Sequence, residues 1–290
     1  MTEMTKDISI ETVKEFWNAN PLFSGEASVE LATREWFESH EALVERDCLP
    51  DPKQYVLFSK GLNKSAKILD VGCGPGYWVR WFLRQGFRNV SACDLTPKAV
   101  ALTSRSLELF QLKTSGVIVE GNAESLPFED SSFDHINCQG VIHHTPNTER
   151  CVSEFWRVLR PGGTVCFSVY HKNIFLRSPL LLRIIKILFS KQIGLPGRGR
   201  ENMLDAAHGA DDLVRLYDGA NNPIGKSYTR EEVLALLTDG EKQLFTVSDV
   251  DFCFFPARAM PLPIPHWLHR WLSRNMGLLI RIRAQKKMTY

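Results

Sequence analysis

The sequence predicts an α/β fold in which parallel strands alternate with helices in a doubly wound sheet. Residues 67–71, Lys-Ile-Leu-Asp-Val, form a short apolar run that meets glycines at 72, 74 and 76, the pattern of a buried strand breaking into a tight turn. A helical stretch follows, on which Trp78, Trp81, Phe82 and Gln85 occupy i, i+3, i+4 and i+7 positions with three apolar members. Asn89-Val90-Ser91-Ala92-Cys93-Asp94 then reads as a second strand, and Thr96-Pro97 supplies an N-cap and a first-turn proline for the next helix.

The remaining elements follow in order. Val13, Phe16 and Trp17 mark a short N-terminal helix broken at Asn20-Pro21, and residues 27–46, with Trp36 and Phe37, read as a second helix. A helix over 97–110 leads to a strand over 116–120, and residues 133–139 form a fourth strand. Val152, Phe155, Trp156 and Leu159 give residues 148–159 an amphipathic helical face. Arg160 is expected to close that helix against its dipole, Pro161-Gly162-Gly163 to stop it, and 164–170 to form strand five. Residues 179–189 are apolar on most faces, and a polar, glycine-containing stretch over 194–210 has the composition of a mobile loop. Together they read as a lid within an insertion at 171–225. After the turn cluster at 218–223, Thr229-Arg230-Glu231-Glu232 carries a capping-box pattern. Strands are expected over 244–255 and 278–284 with a short helix over 267–274 between them, and alternation of Ile280 and Ile282 with Arg281 and Arg283 suggests a half-exposed last strand.

Composition narrows the function. With 290 residues, 44% of them hydrophobic and 23% charged, the chain suits one α/β domain with insertions. The expected division is an N-terminal helical cap at 1–60 and a main domain at 61–290. A net charge of +2 gives no strong pull toward nucleic acid, and none is expected as a partner. Seven cysteines without a Cys-x-x-Cys pair give neither a zinc signature nor a disulfide framework, so reduced thiols in a cytoplasmic protein and no metal are expected. The first residues carry acids and lack an apolar core, unlike a signal peptide, and no run of about 18 apolar residues occurs. Apolar residues at 178–191 suggest at most a weak membrane-surface or lipid contact.

The glycine turn carries the chemistry. A ligand lying against bare backbone requires glycine, and Tyr77 stands where a dinucleotide fingerprint has Gly or Ala, which argues against a pyrophosphate and an NAD-dependent oxidoreductase. Asp70, two residues before the first glycine, suits a cationic ligand end such as methionine's ammonium group, directly or through water. Asp94 falls about 20 residues beyond the turn, where such units hold a ribose.

With Asp70-Val71-Gly72-Cys73-Gly74-Pro75-Gly76, Asp94, Gly121-Asn122-Ala123-Glu124-Ser125-Leu126-Pro127-Phe128, Phe133-Asp134 and Gly140-Val141-Ile142-His143-His144-Thr145-Pro146-Asn147, residues 65–170 resemble the class I S-adenosylmethionine (SAM) dependent methyltransferases. The likeness is greatest to the small-molecule subgroup that includes quinone-biosynthesis and sugar O-methyltransferases. It implies a Rossmann-like seven-stranded sheet with a terminal antiparallel hairpin and a SAM site formed by Asp70, Gly72, Cys73, Gly74, Gly76, Asp94, Leu95, Asn122, Ala123, Glu124 and Gln139. In that family the residue matching Asn122, often Asp, bonds the adenine amino group, and the next backbone amide meets a ring nitrogen. N-terminal helices there cover the cofactor, so Trp17, Phe23 and Trp36 are candidates for one wall of the acceptor pocket.

Methyl transfer needs alignment and, for a poorly acidic acceptor, a base. His144, just past strand four, is the first candidate and His143 the second, because histidine titrates near neutrality. The matching histidine of the sugar O-methyltransferases takes the acceptor's proton. His171, Tyr170, Tyr217 and Tyr228 are weaker candidates. An apolar lid and aromatic cap favour a small hydrophobic or aromatic acceptor, with oxygen ahead of nitrogen or carbon. Two other readings stand beside it: an RNA methyltransferase using Trp267, Arg270, Trp271, Arg274, Arg281, Arg283, Lys286 and Lys287, and a catalytically silent SAM-binding subunit.

Overall fold

The computed structural model describes residues 8–23, 28–49, 51–189, 198–240, 242–255 and 263–287. Its strands are β1 (Lys67–Val71), β2 (Asn89–Asp94), β3 (Ile118–Glu120), β4 (Phe133–Gln139), β5 (Leu159–His171), β6 (Ser227–Tyr228), β7 (Thr238–Asp239), β8 (Lys242–Gln243), β9 (Phe245–Cys253) and β10 (Leu279–Lys286). The helices are α1 (Ile10–Ala19), α2 (Arg34–Asp47), α3 (Val56–Ser59), α4 (Tyr77–Arg84), α5 (Pro97–Leu109), α6 (Thr148–Val158), α7 (Ile174–Arg177), α8 (Pro179–Phe189), α9 (Met203–Ala206), α10 (Ala210–Asp218), α11 (Arg230–Ala235) and α12 (His266–Met276).

Seven strands form the main path of the sheet in the order β3-β2-β1-β4-β5-β10-β9, with short β6 added to the end of β5. Strands β1 to β5 pair in parallel, while β10 lies antiparallel to both β5 and β9, which makes the expected terminal hairpin. The parallel strands are covered on both faces, as their near-continuous apolar runs require. Strand order reverses between β1 and β4, and ligands bind outside the carboxyl ends of strands at such a point.

Local chemistry sets several boundaries. Ser9, Thr33, Thr96 and Asn147 each accept a backbone N–H in the first turn of α1, α2, α5 and α6, and Thr229 with Glu232 completes the capping box of α11. Residues 28–33 lie before α2, so the helix is shorter than its composition suggests because Thr33 offers the cap.

The structure corrects four sequence readings. On α4 the most buried residues are Tyr77, Val79, Arg80, Phe82 and Leu83, whereas Gln85 is exposed, and Trp78 and Trp81 lie half-buried against Phe58. The segment before β1 covers that side of the helix, which its apolar periodicity alone could not reveal. Arg160 does not close α6: β5 begins at Leu159, and the guanidinium pairs with Asp134 at 2.7 Å. The last strand is not half-exposed, since Arg281, Arg283 and Lys286 are buried. The Arg281 guanidinium lies over Phe58 and pairs with Asp251, Arg283 donates to the Leu57 and Lys60 carbonyls, and Lys286 donates to the Leu159 carbonyl. These cations satisfy backbone and acids inside the protein and do not form the basic surface that an RNA reading used. Within 194–210, Arg200, Met203, Leu204 and Ala207 are buried, so this part is packed structure; residues 190–197 lie outside the described residues.

Candidate active site

The site is built where β1, β2 and β4 end. Asp70 and Asn137 are partners in the β1–β4 register, and Asn137 Nδ2 donates to Asp70 Oδ1 at 2.7 Å. Gln139 Nε2 in turn donates to Asn137 Oδ1 at 3.1 Å, so a polar relay runs from a cavity wall to the buried acid. Asp70 Oδ2 is buried without a hydrogen-bond partner among the described residues. Burial pushes this carboxyl up to about 7, the Asn137 bond opposing and nearby Asp94 adding to the shift. A lone acceptor held in such a place is matched to a cationic donor.

The bend after β1 is fixed by main-chain bonds from Gly72 and Cys73 to the Cys93 carbonyl. Asp94 fastens its far side: Oδ2 accepts the Gly74 N–H at 3.0 Å, and Oδ1 accepts the N–H and hydroxyl of Thr96. Its carboxyl is raised by burial, with those same donors pulling against the rise. Gly72 has φ +72°, and a Cβ there would fall 2.2 Å from a Val141 methyl. Gly74, at φ +50°, instead faces open space within the cavity wall, so a side chain there would fill the cleft.

This cleft, about 860 Å³ when the solvent at its mouth is counted, is lined by Gly72, Gly74, Asp94, Leu95, Asn122, Ala123 and Gln139 from the expected set. Helix α1 covers it with Ile10, Val13 and Trp17, and an ion pair between Lys14 and Glu120 ties the helix to β3. Asp70, Cys73, Gly76 and Glu124 lie outside the lining: Asp70 is buried under the bend, the Cys73 sulfur receives the Thr103 hydroxyl, Gly76 packs on Thr103 and Ser106, and the Glu124 carboxylate accepts the Asn147 N–H. Asn122 Oδ1 accepts the Glu124 N–H at 2.9 Å, which orients its amide by a local turn.

A second cavity, about 930 Å³ when the solvent at its mouth is counted, adjoins the first. Both share Trp17, Leu22, Gln139, Gly140 and His144. Phe23 lines the second cavity as expected of a cap aromatic, but Trp36 does not reach either one and packs with Phe37 and Leu102. His144 Nδ1 lies 2.7 Å from the Ile224 carbonyl and therefore donates to it, while Nε2 lies 3.1 Å from Asp218 Oδ2. In the neutral ring Nε2 is an acceptor, so one proton must stand between it and the carboxylate, and the two residues act as a pair. The Tyr170 hydroxyl donates to the same Asp218 oxygen at 2.8 Å. Burial, and then proximity to His144, holds His143 well below the usual histidine range, which leaves it a neutral ring packed on Tyr170. His171 and Tyr228 are engaged elsewhere, with the Gly277 carbonyl and the Thr148 hydroxyl.

Residues 69–167 match a family profile described as a methyltransferase domain. That stretch, about a third of the chain, is similar to methyltransferase domains and holds the glycine bend and the parallel strands of the site. The unpartnered Asp70 oxygen under the bend, the open wall at Gly74 and the apolar cover from α1 fit a ligand with a cationic amino-acid end and a flat nucleoside. The domain is 30% identical over 118 residues to the sterol 24-C-methyltransferase of Saccharomyces cerevisiae, covering 41% of this chain and 30% of that protein. It is 29% identical over 144 residues to the ubiquinone biosynthesis O-methyltransferase of Alkalilimnicola ehrlichii, covering 49% of this chain and 57% of that one. These alignments span less than two thirds of either relative. Among solved structures, the SAM-dependent methyltransferase of Mesorhizobium loti matches with a TM-score of 0.53 at 20% identity, over 81% of this chain and 96% of that one, a likeness of fold.

Asp218 and Asn137 were missed by sequence reasoning. Asn137 left little signal, since it is one of four polar residues, with Asp134, His135 and Gln139, in a seven-residue strand that has a strand on either side. Asp218 left none: it sits at the end of α10, and only the tertiary fold brings it to His144.

Proposed function

We propose that the protein moves the methyl group of SAM to an oxygen of a small, apolar or aromatic acceptor held in the second cavity. The observation that carries this reading is the shared wall: His144 borders both cavities and is paired with Asp218, so an acid–base pair stands where a donor and an acceptor would meet. When bound, SAM supplies an electrophilic methyl on a sulfonium. Asp70 Oδ2 would receive its ammonium group, Asp94 its ribose, and Asn122 with the Ala123 amide its adenine. Trp17 and Leu22 exclude water from the junction.

The chain's part in transfer is positional and protolytic. The chain would take up the acceptor's hydroxyl proton at the Asp218 carboxylate, the proton already shared with it staying on His144 Nε2. Because Nδ1 is held by the Ile224 carbonyl and Nε2 faces the proton already shared with Asp218, the carboxylate is the proton acceptor of the pair, and Tyr170 keeps Asp218 in place. This modifies the single-base role expected for His144.

The test is incubation of methyl-tritiated SAM with a low-molecular-weight cell extract and the enzyme. Label should enter extractable small molecules and fall at least about 100-fold with Asp218→Asn, while the demethylated product, S-adenosylhomocysteine, still raises the melting temperature. Binding without label transfer to any fraction would overturn the reading in favour of a silent subunit.

A further inference from the structure

Charge is distributed unevenly along the chain. Residues 170–200 hold seven lysines and arginines and no acid, and residues 252–290 hold another seven and no acid. Of 35 basic and 33 acidic residues in all, the rest of the chain therefore keeps 21 against 33, a net charge of −12. The fold brings parts of the two basic stretches together. Strand β5 pairs with β10, and the Asn173 side chain, which caps α7, donates to the Met276 carbonyl at the end of α12.

Some of these cations are internal, as described above, and Arg274 is paired with Asp51, but Arg177, Arg183 and Arg270 are exposed. They flank apolar surface. Among the described residues ten large hydrophobic side chains are exposed, and six belong to α7, α8 and α12: Ile174, Leu180, Ile184, Ile187, Trp267 and Trp271. On α8 three of them stand at i, i+4 and i+7, with Ile187 73% exposed, while Leu182 turns inward at 6%. On α12 the tryptophans at i and i+4 alternate with Arg270 and Arg274. None of the three helices contains an Asp or Glu.

We propose that this basic, apolar side of the molecule docks on an anionic membrane surface, with α8 lying in the headgroup layer. The occupant follows from three features. Among the described residues no helix is long and apolar enough to cross a bilayer, so α8, with 11 residues, lies on the surface. Tryptophan beside arginine suits the boundary between headgroups and acyl chains. Anionic lipid attracts this side and repels the remainder of the chain, which fixes the orientation. The proposal is independent of the catalytic reading, and it extends the contact expected at 178–191 to α12.

Co-sedimentation with vesicles tests it. The full chain should pellet with phosphatidylcholine vesicles containing about 30% phosphatidylglycerol and stay in solution with phosphatidylcholine alone. Raising salt to about 0.5 M should weaken the partition. The double variant Ile184→Glu/Ile187→Glu should lower it at least about tenfold while the melting shift with S-adenosylhomocysteine persists, showing an intact fold. Absence of binding to anionic vesicles, binding unchanged by the double variant, or a concentration-dependent dimer in light scattering that the same variant dissolves would each overturn the proposal; the last would assign the face to a second copy of the chain.

Discussion

Asp70 makes ligand binding depend on pH in a direction that can be worked out. Its carboxyl is pushed up to about 7 by burial, above the usual carboxylate value, so in the free protein the charged form is disfavoured. Stability contributed by the protonated group is therefore fully present below about pH 4 and is lost as pH rises toward about 7. An ammonium group placed at Oδ2 reverses the preference, because it requires the carboxylate. Binding must then release a proton wherever the free acid is protonated. With a free-state value of about 7, the dissociation constant of S-adenosylhomocysteine should be roughly eightfold larger at about pH 6 than at about pH 7.5, which is about 1.2 kcal/mol. Calorimetry in two buffers of different ionisation enthalpy measures both the constant and the proton released. Asp70→Asn should bind more weakly at every pH and lose the slope. A wild-type constant flat across this range, with no proton release, would refute the placement of the ammonium at Asp70.

Other substitutions report on separate parts of the structure. Gly72→Ala, which combines φ +72° with a 2.2 Å approach to Val141, should destabilise the fold by roughly 2 kcal/mol in urea titration, with part of the loss recovered by adding Val141→Ala. Gly74→Val should weaken S-adenosylhomocysteine binding at least about tenfold by calorimetry, because its side chain enters the cleft. His144→Ala and Asp218→Asn should each lower turnover about 100-fold, and the double variant should fall little further, since the two act as one unit. Arg281→Ala should cost about 3 kcal/mol of stability, because it leaves Asp251 without its buried partner and uncovers Phe58.

Much of the fold was legible because several of its parallel strands are short runs with chemically marked ends. Gly72, Gly74 and Asp94 announced the bend, and Thr96-Pro97 announced α5. The terminal hairpin was legible as well, but its burial was not: Ile280, Arg281, Ile282 and Arg283 alternate like a half-exposed strand, and only the packing of residues 52–60 against β9 and β10 shows that both faces are covered. The same limitation applies to Trp36, whose helical spacing is that of a cavity wall and of a packed core alike. In the candidate site, local motifs named most of the cleft lining, because a glycine bend and its acids lie close together in sequence. The Asp218–His144 pair joins residues 74 positions apart, through a helix whose own pattern is simply amphipathic, so nothing local could point to it.

The most direct measurement is an isotope-edited nuclear Overhauser experiment with SAM labelled by carbon-13 at its methyl group. The expected result is cross-peaks from that methyl to the rings of His144 and Trp17, at the wall between the two cavities, and none to Trp36. A bound methyl that contacts neither ring, or a protein that gives no bound signal at all, would contradict the assignment of the two cavities as donor and acceptor sites.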